Sequence, residues 1–78
     1  MMKVYIVELW EYDGYKRFGV YSTLELARKE LNKIFEEECN FYKNCEEYSL
    51  DWINENHFVV KFTGSVHENY LITEVEVE

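Results

Sequence analysis

Residues 3–22 read KVYIVELWEYDGYKRFGVYS, and this stretch decides the fold class. Two runs rich in β-branched and aromatic residues flank Asp13-Gly14, a dipeptide that favours the two-residue turn of a β-hairpin because both turn positions need positive φ. That turn sets Leu9 opposite Phe18. One face of the predicted ribbon is then wholly apolar and consists of Tyr5, Val7, Leu9, Phe18 and Val20.

The opposite face of the same ribbon carries a second set of rings. Ile6 lies opposite Tyr21, and Trp10 lies opposite Arg17, whose guanidinium can stack on the indole. Trp10, Arg17 and Tyr21 therefore form a face suited to a planar anionic molecule such as a nucleotide.

A helix is predicted in the segment STLELARKELNKIFEEE, residues 22–38. Its N-cap is either Ser22, with Glu25 three residues later as in a capping box, or Thr23. Apolar side chains recur at spacings of three and four, which is typical of a helix with one face on a sheet. This stripe consists of Leu24, Ala27, Leu31, Ile34 and Phe35, and we expect it to cover the apolar face of the hairpin.

The second half of the chain contains two further strand patterns. Residues 39–56 include four asparagines and show no clear period, so we expect an irregular or briefly helical stretch there. HFVVKFT (57–63) and YLITEVEVE (70–78) alternate with a period of two. The predicted fold is a single α+β domain, residues 1–78, in the order ββαββ. Its antiparallel sheet has about four strands, with one main helix packed on one face.

The stretch MKVYIVELWEYDGYKRFGVYSTLELARKEL, with YLITEVEVE at the other end, resembles small, mostly uncharacterised proteins encoded by bacteriophages and prophages. Those proteins share a KVYVV-type first strand, a GVYST.E.A junction into a helix and an alternating acidic last strand. The likeness covers about the first thirty and the last nine residues. It implies this fold and a phage accessory gene, and it assigns no catalytic residue.

Negative charge is concentrated in the second part of the chain, whose total net charge is −8. Residues 1–33 hold five acidic and six basic side chains, whereas residues 34–78 hold eleven acidic and two basic ones. This surface either aids solubility and discourages strand pairing, or docks on a basic surface of another protein. The predicted docking residues are Glu36, Glu37, Glu46, Glu47, Glu74, Glu76 and Glu78.

Alternation in the last strand makes a specific prediction about its two faces. Glu74, Glu76 and Glu78 should point to solvent, while Val75 and Val77 should lie under the helix.

Residue types that carry chemistry are sparse. The two histidines, two cysteines and three scattered glycines match no nucleophile motif, phosphate loop or zinc spacing. We therefore predict neither an enzyme nor a metal or cofactor site, and we expect Cys39 and Cys45 to be thiols. The acidic charge disfavours direct binding to nucleic acid. No segment reaches the length of a membrane span and no signal peptide is recognised, so we expect a protein of the host cell cytoplasm.

Two functions follow as hypotheses. The first is a phage-type binding or inhibitor protein that docks on a basic surface of a host protein, such as a defence or nucleic-acid-handling component. The alternative is a protein that binds or sequesters a small, nucleotide-like ligand on the open aromatic face. Since one helix covers one side of the sheet, the other side is covered by residues 39–56, by a second copy in a homodimer, or by a ligand.

Overall fold

The computed structural model describes residues 2–77. The elements are β1 (Met2–Glu11), β2 (Gly14–Tyr21), α1 (Leu24–Tyr42), β3 (Tyr48–Asn54), β4 (His57–Phe62) and β5 (Ser65–Val77). The strands pair antiparallel in one sheet of order β2-β1-β5-β4-β3. The α+β class with one helix is confirmed, and the sheet has five strands instead of about four.

The additional strand, β3, comes from the stretch predicted to be irregular. The helix continues to Tyr42, and the loop after it is closed by a bond from the Cys45 N–H to the Tyr42 carbonyl at 2.9 Å. In β3, Leu50 then pairs with Val60 of β4. The alternation of this strand is present in the sequence but short, and the asparagines around it indicate turns more strongly.

The first hairpin turns one residue earlier than predicted. Glu11 pairs with Gly14, so Tyr12 and Asp13 form the loop and Gly14 begins β2. Gly14 also has no positive φ. The predicted pairing of Trp10 with Arg17 is therefore wrong, because the register moves along β2 by two residues at this end.

A bulge further along the hairpin shifts the register again. The pairing changes between Val7 and Glu8, which leaves Phe18 as an extra residue on the helix side. Phe18 therefore reaches the core as predicted, although it is not opposite Leu9. The resulting pairs are Tyr5 with Tyr21, Ile6 with Val20, Val7 with Gly19, Glu8 with Arg17, and Trp10 with Tyr15.

Two positive φ angles define the β4–β5 hairpin. They occur at Thr63 (50°) and Gly64 (87°), between the paired residues Phe62 and Ser65. Left-handed conformations at both central positions are the property of a type I′ turn. The turn chemistry predicted for the first hairpin is thus used by the last one.

The core lies between α1 and one face of the sheet. Thr23 is the N-cap, because its Oγ1 accepts a hydrogen bond from the Leu26 N–H at 3.2 Å. The ring of Phe58 stacks on Tyr70 at 4.7 Å and meets Phe35 edge-on at 5.0 Å. The buried residues of this core are Val7, Leu9, Ala27, Leu31, Ile34, Phe58, Val60 and Tyr70.

The last strand presents the opposite face to the helix from the one predicted. Tyr70 and Ile72 pack in the core, whereas Val75 pairs with Val4 on the open face and is 36% exposed. Alternation decides which residues share a face, but it does not decide which of the two faces receives the helix.

The glutamates of this strand lie on the helix side of the sheet and are nevertheless exposed. Glu74 pairs with Tyr5, and its carboxylate forms an ion pair with Lys3 at 3.4 Å. Glu76 is also exposed, as predicted, and Glu78 lies outside the described residues. The predicted exposure was therefore correct for Glu74 and Glu76, although the reason was different.

Candidate functional site

The predicted docking glutamates form two separate groups. The first lies at the C-terminal end of α1 and in the following loop and consists of Glu36, Glu37, Glu46 and Glu47, all exposed. The second lies near the end of β5 and consists of Glu74 and Glu76. Glu68 of β5 lies beside the C-terminal end of α1, close to the first group. It is six residues from Glu74 on the same strand, which is about 20 Å at the usual rise per residue. The acidic side chains therefore do not form one continuous surface.

A cavity of about 310 Å³, the acidic cavity, lies between the C-terminal end of α1 and β5. The last two turns of α1 supply four of its lining residues. Glu37 with Phe41, and Glu38 with Tyr42, are four positions apart, so the two members of each pair lie on the same side of the helix. Strand β5 supplies the fifth. The lining residues are Glu37, Glu38, Phe41, Tyr42 and Glu68. The ring of Phe41 is 74% exposed and meets Tyr42 edge-on at 4.8 Å, so the cavity combines carboxylates with aromatic walls.

One carboxylate oxygen in this cavity has no hydrogen-bond partner. Glu38 Oε1 accepts a hydrogen bond from the Tyr70 hydroxyl at 2.6 Å, whereas Glu68 Oε1 is buried and accepts none. A buried acceptor without a donor costs about 1–3 kcal/mol, and more if it is charged. Glu68 would thus gain from a donor or a cation at Oε1.

The electrostatics of the cavity show the same shortage of positive charge. Burial and the neighbouring carboxylates Glu38 and Glu11 raise the pKa of Glu68, and His67 opposes this only in part. Burial, followed by the charges of Glu68 and Glu38, raises the pKa of Tyr42 to about 12. Burial and the bond to Glu38 also raise the pKa of Tyr70. Burial alone would disfavour any charge, but the contributions of Glu38, Glu68 and Glu11 to these shifts reflect uncompensated negative charge, which a bound cation would offset.

The same region offers no set of metal ligands. Within residues 2–77, no group of three or more His, Cys, Asp or Glu side chains is arranged to hold a metal ion. Cys39 and Cys45 are free thiols, and burial with the charges of Glu36 and Glu38 raises the pKa of the Cys39 thiol. Carboxylates beside an aromatic face instead suit an organic cation such as an ammonium or guanidinium group.

The face predicted for a planar ligand does not come together. Trp10 lies on the open side of the sheet, where its indole N–H donates to Glu8 Oε2 at 2.9 Å. Arg17 is opposite Glu8 on that side, but Tyr21 is opposite Tyr5 on the helix side. The prediction that placed Tyr21 with Trp10 and Arg17 is therefore wrong, because the bulge at Phe18 reverses the side of the sheet that the following residues of β2 face.

Residues 39–56 do not cover this open side, because they form the helix end, a loop and the edge strand β3. Ile6, Glu8 and Val59 are nevertheless buried on this side.

A second cavity, of about 540 Å³, lies between α1 and the β3–β4 hairpin. It is lined by Arg28, Asn32, Trp52, Asn54 and Glu55. Its guanidinium is already engaged, because Arg28 Nη2 lies 3.0 Å from Glu55 Oε2 and Arg28 Nε donates to Asn56 Oδ1 at 2.8 Å. An anionic ligand would have to compete with Glu55 for this charge.

Sequence reasoning missed four of the five residues that line the acidic cavity. Phe41 and Tyr42 would have been found by extending the helical period past residue 38, which groups them with the acidic residues Glu37 and Glu38 four positions earlier. Glu68 had no such signal, because only the pairing of β5 with its neighbours brings it to the helix end.

The part of the chain that the structure describes contains no helix long and apolar enough to cross a membrane. No match was found among curated proteins or among solved structures. The family model for a domain of unknown function, DUF7336, matches residues 2–78. The chain therefore belongs to the DUF7336 family.

Proposed function

We propose that this protein is a small acidic binding protein that docks on a basic surface of another protein and takes one of its Arg or Lys side chains into the acidic cavity. The observation that carries the proposal is Glu68 Oε1, a buried acceptor without a donor among several carboxylates. A partner's cation would supply both the donor and the charge.

Arginine suits this cavity better than lysine. A guanidinium presents several donors in one plane and stacks on aromatic rings, whereas an ammonium is a more strongly hydrated point charge. Glu37 and Glu68 on the cavity wall offer acceptors to such a plane, and Phe41 offers it an aromatic face. Charge-assisted bonds of this kind are shorter and stronger than neutral ones.

The charge of the whole chain supports the same role. A net charge of −8 on 78 residues attracts basic partners from a distance and makes association fast and dependent on salt. The resemblance to phage proteins supports a host protein of the cytoplasm as the partner, for example a defence or nucleic-acid-handling component that this protein would inhibit. This role needs no enzyme activity, no cofactor and no direct contact with nucleic acid.

A short peptide tests the cavity without knowledge of the partner. Capped Gly–Arg–Gly is titrated into ¹⁵N-labelled protein, with Gly–citrulline–Gly as a neutral control of the same shape. We expect chemical-shift changes around Phe41 and Glu68 with the arginine peptide alone. The double variant Glu37→Gln with Glu68→Gln should lose them, whereas Glu74→Gln with Glu76→Gln, which removes the same charge, should keep them.

Two results would contradict the proposal. One is an equal set of chemical-shift changes with the citrulline peptide, which would show that the cavity does not recognise the positive charge. The other is a set of shifts spread evenly over all acidic side chains and equally weakened by both double variants, which would show only general attraction.

A second candidate function, small-ligand binding, is supported by the larger cavity. Its volume of about 540 Å³ is in the range of small-molecule sites, and the Trp52 ring on its wall can stack on a planar ligand. Titration of nucleotides into a Trp10→Phe variant, in which Trp52 is the single fluorophore of its kind, tests this idea. Unchanged Trp52 fluorescence at millimolar nucleotide would count against it.

A further inference from the structure

Strand β5 extends beyond the end of β4 and leaves a free edge there. Its pairing with β4 ends at Leu71, opposite His57, and the last backbone bond between the two segments runs from the Ile72 N–H to the Asn56 carbonyl at 2.9 Å. From Thr73 to Val77 the strand pairs with β1 on one side, and within residues 2–77 no strand pairs with it on the other.

The backbone groups on this free edge can be assigned. In an antiparallel strand the N–H and C=O of one residue point to the same side, and the side alternates along the chain. Because the Ile72 N–H points toward β4, the N–H and C=O groups of Glu74 and Glu76 also point outward. An added strand could therefore exchange about four backbone hydrogen bonds with these two residues.

This edge is more regular than the edge strands β2 and β3. The pairing of β1 with β5 continues without a register shift from Met2 to Glu11, whereas β2 and β3 both contain irregularities. Bulges of this kind protect edge strands because they twist them away from a potential partner. The Thr73–Val77 edge lacks that protection and relies on its charges.

The side chains along the edge define what can pair with it. Glu74, which is already ion-paired with Lys3, and Glu76 lie on one face. Val75, beside Val4, and Val77, beside Met2, lie on the other. A residue opposite a glutamate is favoured if it is basic, and a residue opposite Val75 is favoured if it is apolar.

A second copy of this chain fits the edge poorly. Because the outward groups belong to even-numbered residues, antiparallel self-pairing sets Glu74 against Glu74 or Glu76 of the other copy. Like charges directly opposite one another destabilise strand pairing.

We propose that the Thr73–Val77 edge binds an extended segment of a partner protein as an added antiparallel strand, in which Lys or Arg alternates with apolar residues. The partner's basic residues lie opposite Glu74 and Glu76, and an apolar residue lies opposite Val75. This site is distinct from the acidic cavity and lies on another part of the sheet, so each can be present without the other.

A labelled peptide, Thr-Val-Lys-Val-Lys-Val-Thr, tests the inference by fluorescence anisotropy. Two controls have the same charge: a shuffled peptide with its lysines adjacent, and a peptide N-methylated at both lysines, which lacks two backbone donors. We expect the N-methylated peptide to bind at least about fivefold more weakly, from the usual contribution of two hydrogen bonds. The shuffled peptide should be weakened similarly.

Variants of the edge separate charge from backbone pairing. Glu76→Gln should weaken binding about two- to fivefold at low salt, as for a single exposed ion pair. Glu76→Pro removes the same charge and also an outward N–H that β1 does not use, so it should bind more weakly still. The cavity variant Glu37→Gln with Glu68→Gln should lose no more affinity than Glu46→Gln with Glu47→Gln.

Three outcomes would overturn the inference. The first is no binding of the parent peptide at about 1 mM, a concentration at which even a weak site should be occupied. The second is equal affinity for the parent and N-methylated peptides, or for Glu76→Gln and Glu76→Pro, which would show charge attraction alone. The third is a homodimer in sedimentation analysis that Glu76→Pro dissociates, which would make a second copy the occupant.

Discussion

Threonine substitution of two valines tests which face of β5 and β1 the helix covers. Val7 is fully buried under α1, and Val75 lies on the open face with 36% of its surface exposed. Threonine has almost the same shape as valine and suits a strand equally well, so the change tests the surroundings of the new hydroxyl group.

The expected magnitudes differ because one hydroxyl is buried and the other reaches water. Burying a hydroxyl without a new partner costs about 1–3 kcal/mol, which is a large part of the stability of a small domain. In a domain of this size each kcal/mol corresponds to about 4–8 °C in melting temperature. Val7→Thr should therefore lower the melting temperature by about 4–24 °C. Val75→Thr should change stability by no more than about 0.5 kcal/mol.

Urea denaturation followed by circular dichroism measures both variants, with thermal melts as a second observation. An equal m-value for the two variants and the unsubstituted protein is needed before the midpoints are compared. The structural reasoning would be refuted if Val75→Thr destabilised the protein as much as Val7→Thr. That result would place Val75 under the helix, as the alternation of the sequence first suggested.

The other predictions concern the acidic cavity, the last hairpin and the thiols. The pKa of Glu68 is higher in the folded protein than in the unfolded chain, so ionisation of this carboxyl group destabilises the fold as pH rises from the unfolded pKa through the folded pKa. Glu68→Gln should therefore have the melting temperature of the unsubstituted protein near pH 4 and a higher one at pH 7.5. Thr63→Asn should raise stability by about 0.5–1 kcal/mol in urea melts, since asparagine tolerates the φ of 50° better than a β-branched residue. Loss of stability there would contradict the assigned turn. Titration with a thiol reagent at pH 7.5 should show a fast reaction at exposed Cys45 and a slower one at Cys39, and the Cys45→Ser variant should retain the slow phase alone.

Local chemistry was sufficient to predict several elements of the fold. The period of the apolar residues identified α1, and Thr23 was one of its two predicted caps. Alternation identified β1, β2, β4 and β5, and it correctly placed Val7 and Leu9 on the core side. These features depend on neighbours within a few residues, which the sequence displays directly.

The pairing registers depended on more than the turn dipeptide. Asp13-Gly14 indicated a turn, but a bulge at Phe18 and the start of β2 at Gly14 produced another alignment. A bulge changes the side of every residue after it, so a single unrecognised one moved Tyr21 away from Trp10. This is why the predicted planar-ligand face failed.

The number and distribution of acidic residues were properties of the sequence, but their grouping was decided by tertiary structure. The strand order β2-β1-β5-β4-β3 brings Glu68 to the end of α1 and leaves Glu74 and Glu76 about 20 Å away along β5. The same order ends β4 opposite Leu71 and so creates the free edge beyond it. Periodicity along one segment carries no information about which segment lies beside it, because strand order results from the packing of the whole sheet against the helix.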